Sequence, residues 1–319
     1  MKGGGTDSSV VSVVCWAAHD ARTTGASRRD RDRWVKMRMV VFVVLVYWIM
    51  SDGARQSGEQ LDLSVMIPCR NNVRTMGRVL DSVRGLCSQL VVIDSGSTDG
   101  TLELVEACRE WCEVAFVQTH WRGFVRTKSM GLDACNRRYA LWLDSDEPVS
   151  REMAASVRSA VADGVDAAKV RRVVEYKGKL LMHSWQPEWR LRLVKMELVR
   201  DGRARFTGID PHDYLEVESG VDVRTLDGVL VHDSFETFSE HLGNQLRLSR
   251  TSAQSLHAMG KRGSVWKIMT SPIGAFFKQA IVKGSWRDGY AGWLAATTSA
   301  AGALMKHAVL YEMGSEEPR

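Results

Sequence analysis

The chain has 319 residues, 45% of them hydrophobic and 25% charged, with a formal net charge of +5. That composition is globular and excludes disorder as the default state, and the length allows one large α/β domain with a smaller appendage. The positive balance fits an anionic partner, whether nucleotide diphosphate, nucleic acid or phospholipid surface, and equally an ordinary solvated basic face.

Residues 1–38 are rich in Gly, Ser, Arg and Asp without clear periodicity, and residues 39–50 (MVVFVVLVYWIM) form an apolar run preceded by Arg33, Lys36 and Arg38. Such a run is too short to span a bilayer. Its basic approach resembles a signal core, yet SDGARQSG offers no small-x-small cleavage site. Residues 1–60 therefore read as a variable leader, either a mis-assigned start with Met50 as the initiator or a weak membrane anchor. The six cysteines (Cys15, Cys69, Cys87, Cys108, Cys112, Cys135) show neither a paired CxxC arrangement nor histidines at zinc spacing. They read as buried thiols in a reducing compartment.

From Leu61 the pattern changes. LDLSVMIP is a short β-compatible run, and after the polar CRNN stretch Met76, Val79, Leu80 and Val83 recur at helical spacing. The unit then repeats: residues 90–93 form a buried-strand run, DSGSTDG a turn with Asp99 as helix cap, and Leu102, Val105, Cys108 and Cys112 the next helical stripe. A third strand is expected at 114–117 with a helix over 126–135. A fourth, at 139–143, runs into DSDE, with Met153, Val157, Ala160 and Val161 marking the helix beyond. Strands and helices alternating in this way specify a mostly parallel sheet flanked by helices.

The second half reads as β-rich, with extended segments at 168–176, 189–199 and 221–231 and a Lys177-Gly178-Lys179 turn. It turns helical from Phe235. The division that follows is a leader over 1–60, a catalytic domain over 61–235 with its halves meeting near 150, and a helical extension over 236–319.

In an open parallel sheet, ligands bind at the carboxyl ends of the strands. Polar groups cluster there: Cys69-Arg70-Asn71-Asn72, then Asp94 with its Gly96 and Gly100 turn, then Asp144-Ser145-Asp146-Glu147. Asp94 stands where a carboxylate can accept hydrogen bonds from a base or ribose. The DSDE segment packs carboxylates so closely that their repulsion asks for a cation, and Mg²⁺ or Mn²⁺ with open positions for phosphate oxygens suits it. Asp146 is the candidate direct ligand, with Asp144 supporting either the ribose or the metal. The Rossmann glycine fingerprint, the P-loop and the G-x-S-x-G elbow are absent from the sequence.

IPCRNN, VVIDSGSTDGT and LWLDSDE, in this order and spacing, resemble glycosyltransferase family 2, and its lipopolysaccharide-core branch in particular. The narrower likeness rests on Trp121-Arg122-Gly123-Phe124 with Lys128, on Trp189-Arg190-Leu191-Arg192-Leu193, on Pro211-His212-Asp213 followed by Leu226 and Val231-His232, and on the tail SPIGAFFKQAIVKGSWRDGYAGW. The resemblance implies a GT-A-type, Rossmann-like fold and an inverting, metal-dependent transfer of a hexosyl or heptosyl group. The donor would be a nucleotide-diphospho-sugar and the acceptor a glycan or lipid-linked molecule. By position, Asp213 is the implied catalytic base, one methylene shorter than the Glu common in that branch. Pro68, Asn71, Asp94, Ser95, Lys128 and Asp144 are the implied nucleotide-sugar contacts, and Asp146, Asp144 and His232 the implied metal group.

In the tail, aromatic residues from Trp266 to Trp293 interleave with Lys267, Lys278, Lys283 and Arg287. This suits an interfacial segment on an anionic membrane, at the inner face of the cytoplasmic membrane, and equally a helix packed on the catalytic domain. No nucleic-acid motif is present. Two alternatives stay open: a nucleotidyltransferase, for which Arg70 and Arg74 offer only a thin pyrophosphate loop, and a catalytically silent scaffold that binds nucleotide or glycan.

Overall fold

A computed structural model describes residues 59–233 and 235–315, so Cys15, the apolar run at 39–50 and the rest of the expected leader through 58 lie outside the described residues. Four strands begin the fold: β1 (Leu61–Cys69), β2 (Cys87–Asp94), β3 (Glu113–Gln118) and β4 (Tyr139–Trp142). They pair in parallel in the order β3-β2-β1-β4, with Cys69 opposite Asp94 and Asp94 opposite Gln118. Because both faces are covered, these strands are nearly continuous apolar runs.

Alternate residues feed two cores. Leu63, Val65 and Ile67 of β1 face a cluster with Met76, Val79 and Leu80 of α1 (Val73–Val83) and Met153 and Val157 of α4 (Arg151–Ala162). Met66 faces the other side, with Leu132 of α3 (Phe124–Asp133). Helix α4 starts where Ser150 Oγ accepts the Met153 N–H at 3.2 Å, a side-chain N-cap.

The stripe expected through Cys112 breaks earlier. Helix α2 (Thr101–Glu106) tightens into a 3₁₀ turn at Ala107–Glu110, and Cys112 lies beyond it, ahead of β3.

The sheet continues through β5 (Ala167–Tyr176), the short β6 (Lys179–Leu180) paired to it, β7 (Trp189–Lys195) and β10 (Val223–His232), in the order β10-β5-β7-β4. Only β7 among the main strands runs antiparallel, so the carboxyl ends of β1, β2, β4 and β10 share one edge.

The extended segment expected over 189–199 ends at Lys195. Met196–Arg200 is a helix, α5, because Met, Glu and Leu are strong helix formers and Gly202, at φ +75°, closes the turn by donating to Val199 O. An unforeseen hairpin follows, β8 (Ala204–Ile209) with β9 (His212–Val217), turning at Asp210-Pro211 and packing its buried Phe206 and Leu215 on the α3 side.

The carboxyl-terminal part is helical: α6 (Phe238–Ala258), α7 (Val265–Phe277), a π turn (Lys278–Val282), a 3₁₀ turn (Ser285–Asp288) and α8 (Tyr290–Ser315). Asp288 anchors it by accepting His183 N, Ser184 N and Ser184 Oγ, while Phe235, Trp185 and Leu294 pack nearby. No residue of α7 is buried. Among the described residues, no helix is long and apolar enough to cross a membrane.

Candidate active site at the carboxyl edge of the sheet

The loops after β1 and β2 are laced together. Asn71, at φ +56°, accepts Thr98 N at 2.8 Å through Oδ1, and its own N–H donates to Ser97 Oγ at 2.9 Å. Asn72 N donates to Thr101 Oγ1 at 2.8 Å, and Ser95 N to Cys69 O at 3.0 Å. Asp94 is buried, and its carboxylate accepts Gly96 N and Ser97 N, both at 3.0 Å. Asp99, expected to cap α2, also reaches Val73 N at the start of α1, while Gly100 takes the α2 cap position in the left-handed region. Pro68, Asn71, Asp94 and Ser95 thus stand together at the strand ends, with Asn71 and Asp94 engaged in fixing the loop shape.

Beyond β4, Glu147 is fully buried and receives Arg172 Nε of β5 and Arg192 Nη2 of β7, and its Oε2 accepts Asp144 N at 2.9 Å. Arg192, 1% exposed, also lies 3.4 Å from Asp144 Oδ2. Among the described residues its Nε and Nη1 find no hydrogen-bond acceptor; instead its Cζ lies 3.4 Å from the centroid of the Trp142 ring, a cation–π contact. Much of the carboxylate repulsion evident in the sequence is therefore answered by the chain's own guanidiniums. Burial would raise the Asp144 carboxyl, but Lys128, Arg192, Arg172 and His232 together hold it well below the usual carboxylate range.

Lys128 of α3 is buried and donates to Asp213 Oδ2 at 2.8 Å, with Asp144 Oδ1 3.3 Å away. Trp142 covers it at 4.1 Å. The β8–β9 hairpin brings Asp213 to this point, and Asp210 at its tip caps α3 by accepting Phe124 N at 2.8 Å. Gly123 is required there, since a Cβ would fall 2.2 Å from Asp210 Oδ2.

Asp146 stands outside the arginine clamp. Its Oδ2 lies 3.2 Å from His232 Nε2 at the end of β10, and burial's upward push is outweighed by His232, so its carboxyl is held low. Among the described residues, His232 Nδ1 is buried without a hydrogen-bond partner. A carboxylate oxygen and an imidazole nitrogen converging on one point fit Mn²⁺, and the carboxylate alone fits Mg²⁺. Among the described residues no group of three metal-ligating side chains occurs. A divalent ion held here would take its other ligands from water and phosphate oxygens, as such ions do at phosphate sites.

Residues 64–210 match the family model of Glycosyl transferase family 2. These residues are a glycosyl transferase family 2 domain. With a mostly parallel sheet flanked by helices, the family 2 domain has the GT-A fold, and the acidic strand end, the buried lysine and the arginine clamp all belong to it. Asp213 and His232 lie just past its matched boundary.

A lipopolysaccharide core biosynthesis glycosyltransferase, LpsC, of Rhizobium meliloti (strain 1021) is 27% identical over 79% of this chain and 93% of its own length. A glycosyltransferase of Rickettsia bellii (strain RML369-C) is 24% identical over 79% of this chain and 86% of its own. The chain thus carries a glycosyl transferase family 2 domain over residues 64–210 and is similar along most of its length to a lipopolysaccharide-core glycosyltransferase. Among solved structures, the mannosyltransferase PcManGT of Pyrobaculum calidifontis, in complex with GDP-Man and Mn²⁺, aligns at a TM-score of 0.43 with 17% identity, covering 86% of this chain and 84% of that one.

Arg172 and Arg192 were not assigned a role from the sequence. The signal for them was arginine at strand positions flanked by apolar residues, as in RLRLV, a place where a charge needs a buried partner.

Proposed function

We propose that the chain is an inverting, metal-dependent glycosyltransferase that moves a hexosyl or heptosyl group from a nucleotide-diphospho-sugar to a glycan or lipid-linked acceptor in cell-envelope synthesis. The observation that carries the reading is the meeting of Asp144, Asp146, Lys128, Asp213 and His232 at the one edge where the parallel strands end.

In this reading the laced loops bearing Pro68, Asn71, Asp94 and Ser95 frame the nucleoside. Asp144 faces the ribose, Lys128 the diphosphate, and Asp146 with His232 holds Mg²⁺ or Mn²⁺. When bound, the ion supplies positive charge for the departing diphosphate. Asp213 accepts the proton of the attacking acceptor hydroxyl at its carboxylate, and Lys128 fixes the orientation of that carboxylate.

Burial of Asp213 beneath Lys128 favours a second reading, a silent scaffold that binds nucleotide or glycan without turnover. Calorimetry of UDP, GDP and their sugars, with and without Mn²⁺, on the full chain and on Asp146→Asn tests the donor site. Metal-dependent binding lost in the variant supports it, and folded protein that binds none of them sinks it. Sugar release from the donor separates enzyme from scaffold.

The proposal includes peripheral contact with the inner face of the cytoplasmic membrane. Trp266, Met269, Ile273, Phe277 and Ile281 form one exposed stripe along α7 and the turn after it, beside Lys267, Lys278 and Lys283. An apolar stripe flanked by lysines suits an anionic bilayer. Sedimentation with phosphatidylglycerol vesicles should exceed that with phosphatidylcholine, and should fall in Trp266→Ser/Ile273→Ser.

A further inference from the structure

Beside the charged centre lies an open pocket of about 380 Å³, on the sheet face covered by the β8–β9 hairpin. Its lining includes Trp142, Trp189 and Tyr214, with Lys169 and Arg190 at their edges. Trp189 and Tyr214 are each 47% exposed, so the pocket opens between two unburied rings. Lys169 is paired across the strands with Leu191, which places it on the same face as Trp189, and its ammonium lies 5.9 Å from the Trp189 ring centroid. Among the described residues Lys169 makes no ion pair, whereas Arg190 is paired with Glu188 at 2.7 Å.

Aromatic faces stack on the C–H faces of sugar rings, and a volume of this order holds a small ligand. A lysine without a carboxylate partner, at the edge of such faces, adds selection for negative charge.

The pocket also adjoins the reacting centre. Leu215, which lines the pocket, lies on the same face of β9 as Asp213, and the Trp142 ring that lines the pocket touches both Lys128 and Arg192. A sugar stacked here would sit next to the carboxylate proposed to take the acceptor's proton.

We infer that this pocket is the acceptor subsite and that it selects an acidic sugar, one carrying a carboxylate or a phosphate, with Trp189 and Tyr214 as stacking platforms and Lys169 as the anion contact. The inference rests on the glycosyltransferase reading and deepens it from donor to acceptor. Trp189 and Lys169 act here by binding, with no part in proton transfer.

The test is saturation-transfer NMR on the full chain with glucuronate, glucose 6-phosphate and glucose, repeated on Trp189→Ala and Lys169→Gln, with UDP and GDP titrated into all three proteins. We expect transfer to one or both acidic sugars at least several-fold above glucose; which of them leads identifies carboxylate or phosphate as the group selected. Trp189→Ala should lose the transfer, and Lys169→Gln should bind acidic and neutral sugars alike. Both variants should keep the wild-type nucleoside-diphosphate affinity, which excludes misfolding. Equal transfer to glucose and the acids, no transfer to any sugar, or signals unchanged in both variants overturns the inference. Sugar binding of the expected pattern in a protein that binds no nucleoside diphosphate upholds the pocket and removes the donor reading instead.

Discussion

The ammonium of Lys128 lies 2.8 Å from Asp213 and 3.3 Å from Asp144, which makes one buried cation the link between a strand-end carboxylate and a hairpin carboxylate. Removing only the cation leaves two carboxylates in a poorly solvated place. Breaking a buried pair from one side costs about 3–5 kcal/mol, so Lys128→Met should unfold at markedly lower denaturant. If the loss comes from uncompensated charge, adding Asp213→Asn in that background should restore part of it. Simple addition of the two single effects, measured by a double-mutant cycle, would show that the pair is not coupled. For catalysis, Asp213→Asn should lower kcat by roughly 10²–10⁴ while donor affinity holds, the usual span for loss of a general base.

Glu147 and Asp146 are neighbours with opposite expectations. Glu147 is shared by two guanidiniums and also accepts a backbone N–H, and it is fully buried. Glu147→Gln strands the positive charges of Arg172 and Arg192, with an expected cost of about 3–5 kcal/mol. Asp146 has a partly exposed side chain and, among the described residues, faces only His232 as an ionisable partner within salt-bridge distance. Asp146→Asn leaves no guanidinium stranded, so its cost should be clearly smaller than that of Glu147→Gln. Urea unfolding of the two variants side by side checks the difference, and equal midpoints would contradict the separate roles given to these carboxylates.

The parallel strands and their helices were legible because burial on both faces turns each strand into an apolar run and each helix into a stripe, as in LVVI and Met76-Val79-Leu80-Val83. The β8–β9 hairpin was not. ARFTGI and HDYLEV expose one face and carry charges and a glycine, so neither run stands out from a loop. The acidic strand end was legible in position, but its neutralisation was not, because Arg172 and Arg192 come from strands far along the chain. An arginine on a strand reads as a surface residue until a buried carboxylate is found opposite it. Asn71 and Asp94 show the same limit from the other side: their place at the strand ends was legible, but the loop hydrogen bonds that occupy them were not, those of Asn71 because they join segments distant in sequence.

Helix α3 carries Lys128 and approaches the sheet through Gly131. A Cβ at that position would lie 2.3 Å from Ile93 Cδ1 and 2.7 Å from Met66 Sδ. Gly131→Ala therefore pushes the helix outward instead of gaining helix propensity, with an expected loss of about 1–3 kcal/mol from overpacking. The same displacement moves Lys128 away from Asp213, so kcat should fall alongside stability. A gain in Tm in Gly131→Ala, the result ordinary for a solvated helical glycine, would refute the close approach.

Stability should also fall on mild acidification, through His241 on α6. Its ring packs 4.1 Å from Phe235 and 5.2 Å from Trp185, and its Nε2 shares a hydrogen bond with Thr298 Oγ1 at 3.1 Å. Burial, and secondarily His232, push it down from 6.5 to about 4. Between those values the unfolded chain binds a proton that the folded chain does not. The stabilisation is therefore complete above the unfolded value and is lost progressively as pH falls toward the folded one. His212 and His307, both lowered chiefly by burial, act in the same direction. For His241 alone the change between pH 7 and pH 5 is about 2 kcal/mol. His241→Gln keeps a polar group near Thr298 but cannot take up the proton, so its Tm should decline less than that of wild type over this interval. Parallel Tm profiles for the two proteins would mean that the imidazole is not held neutral by the fold.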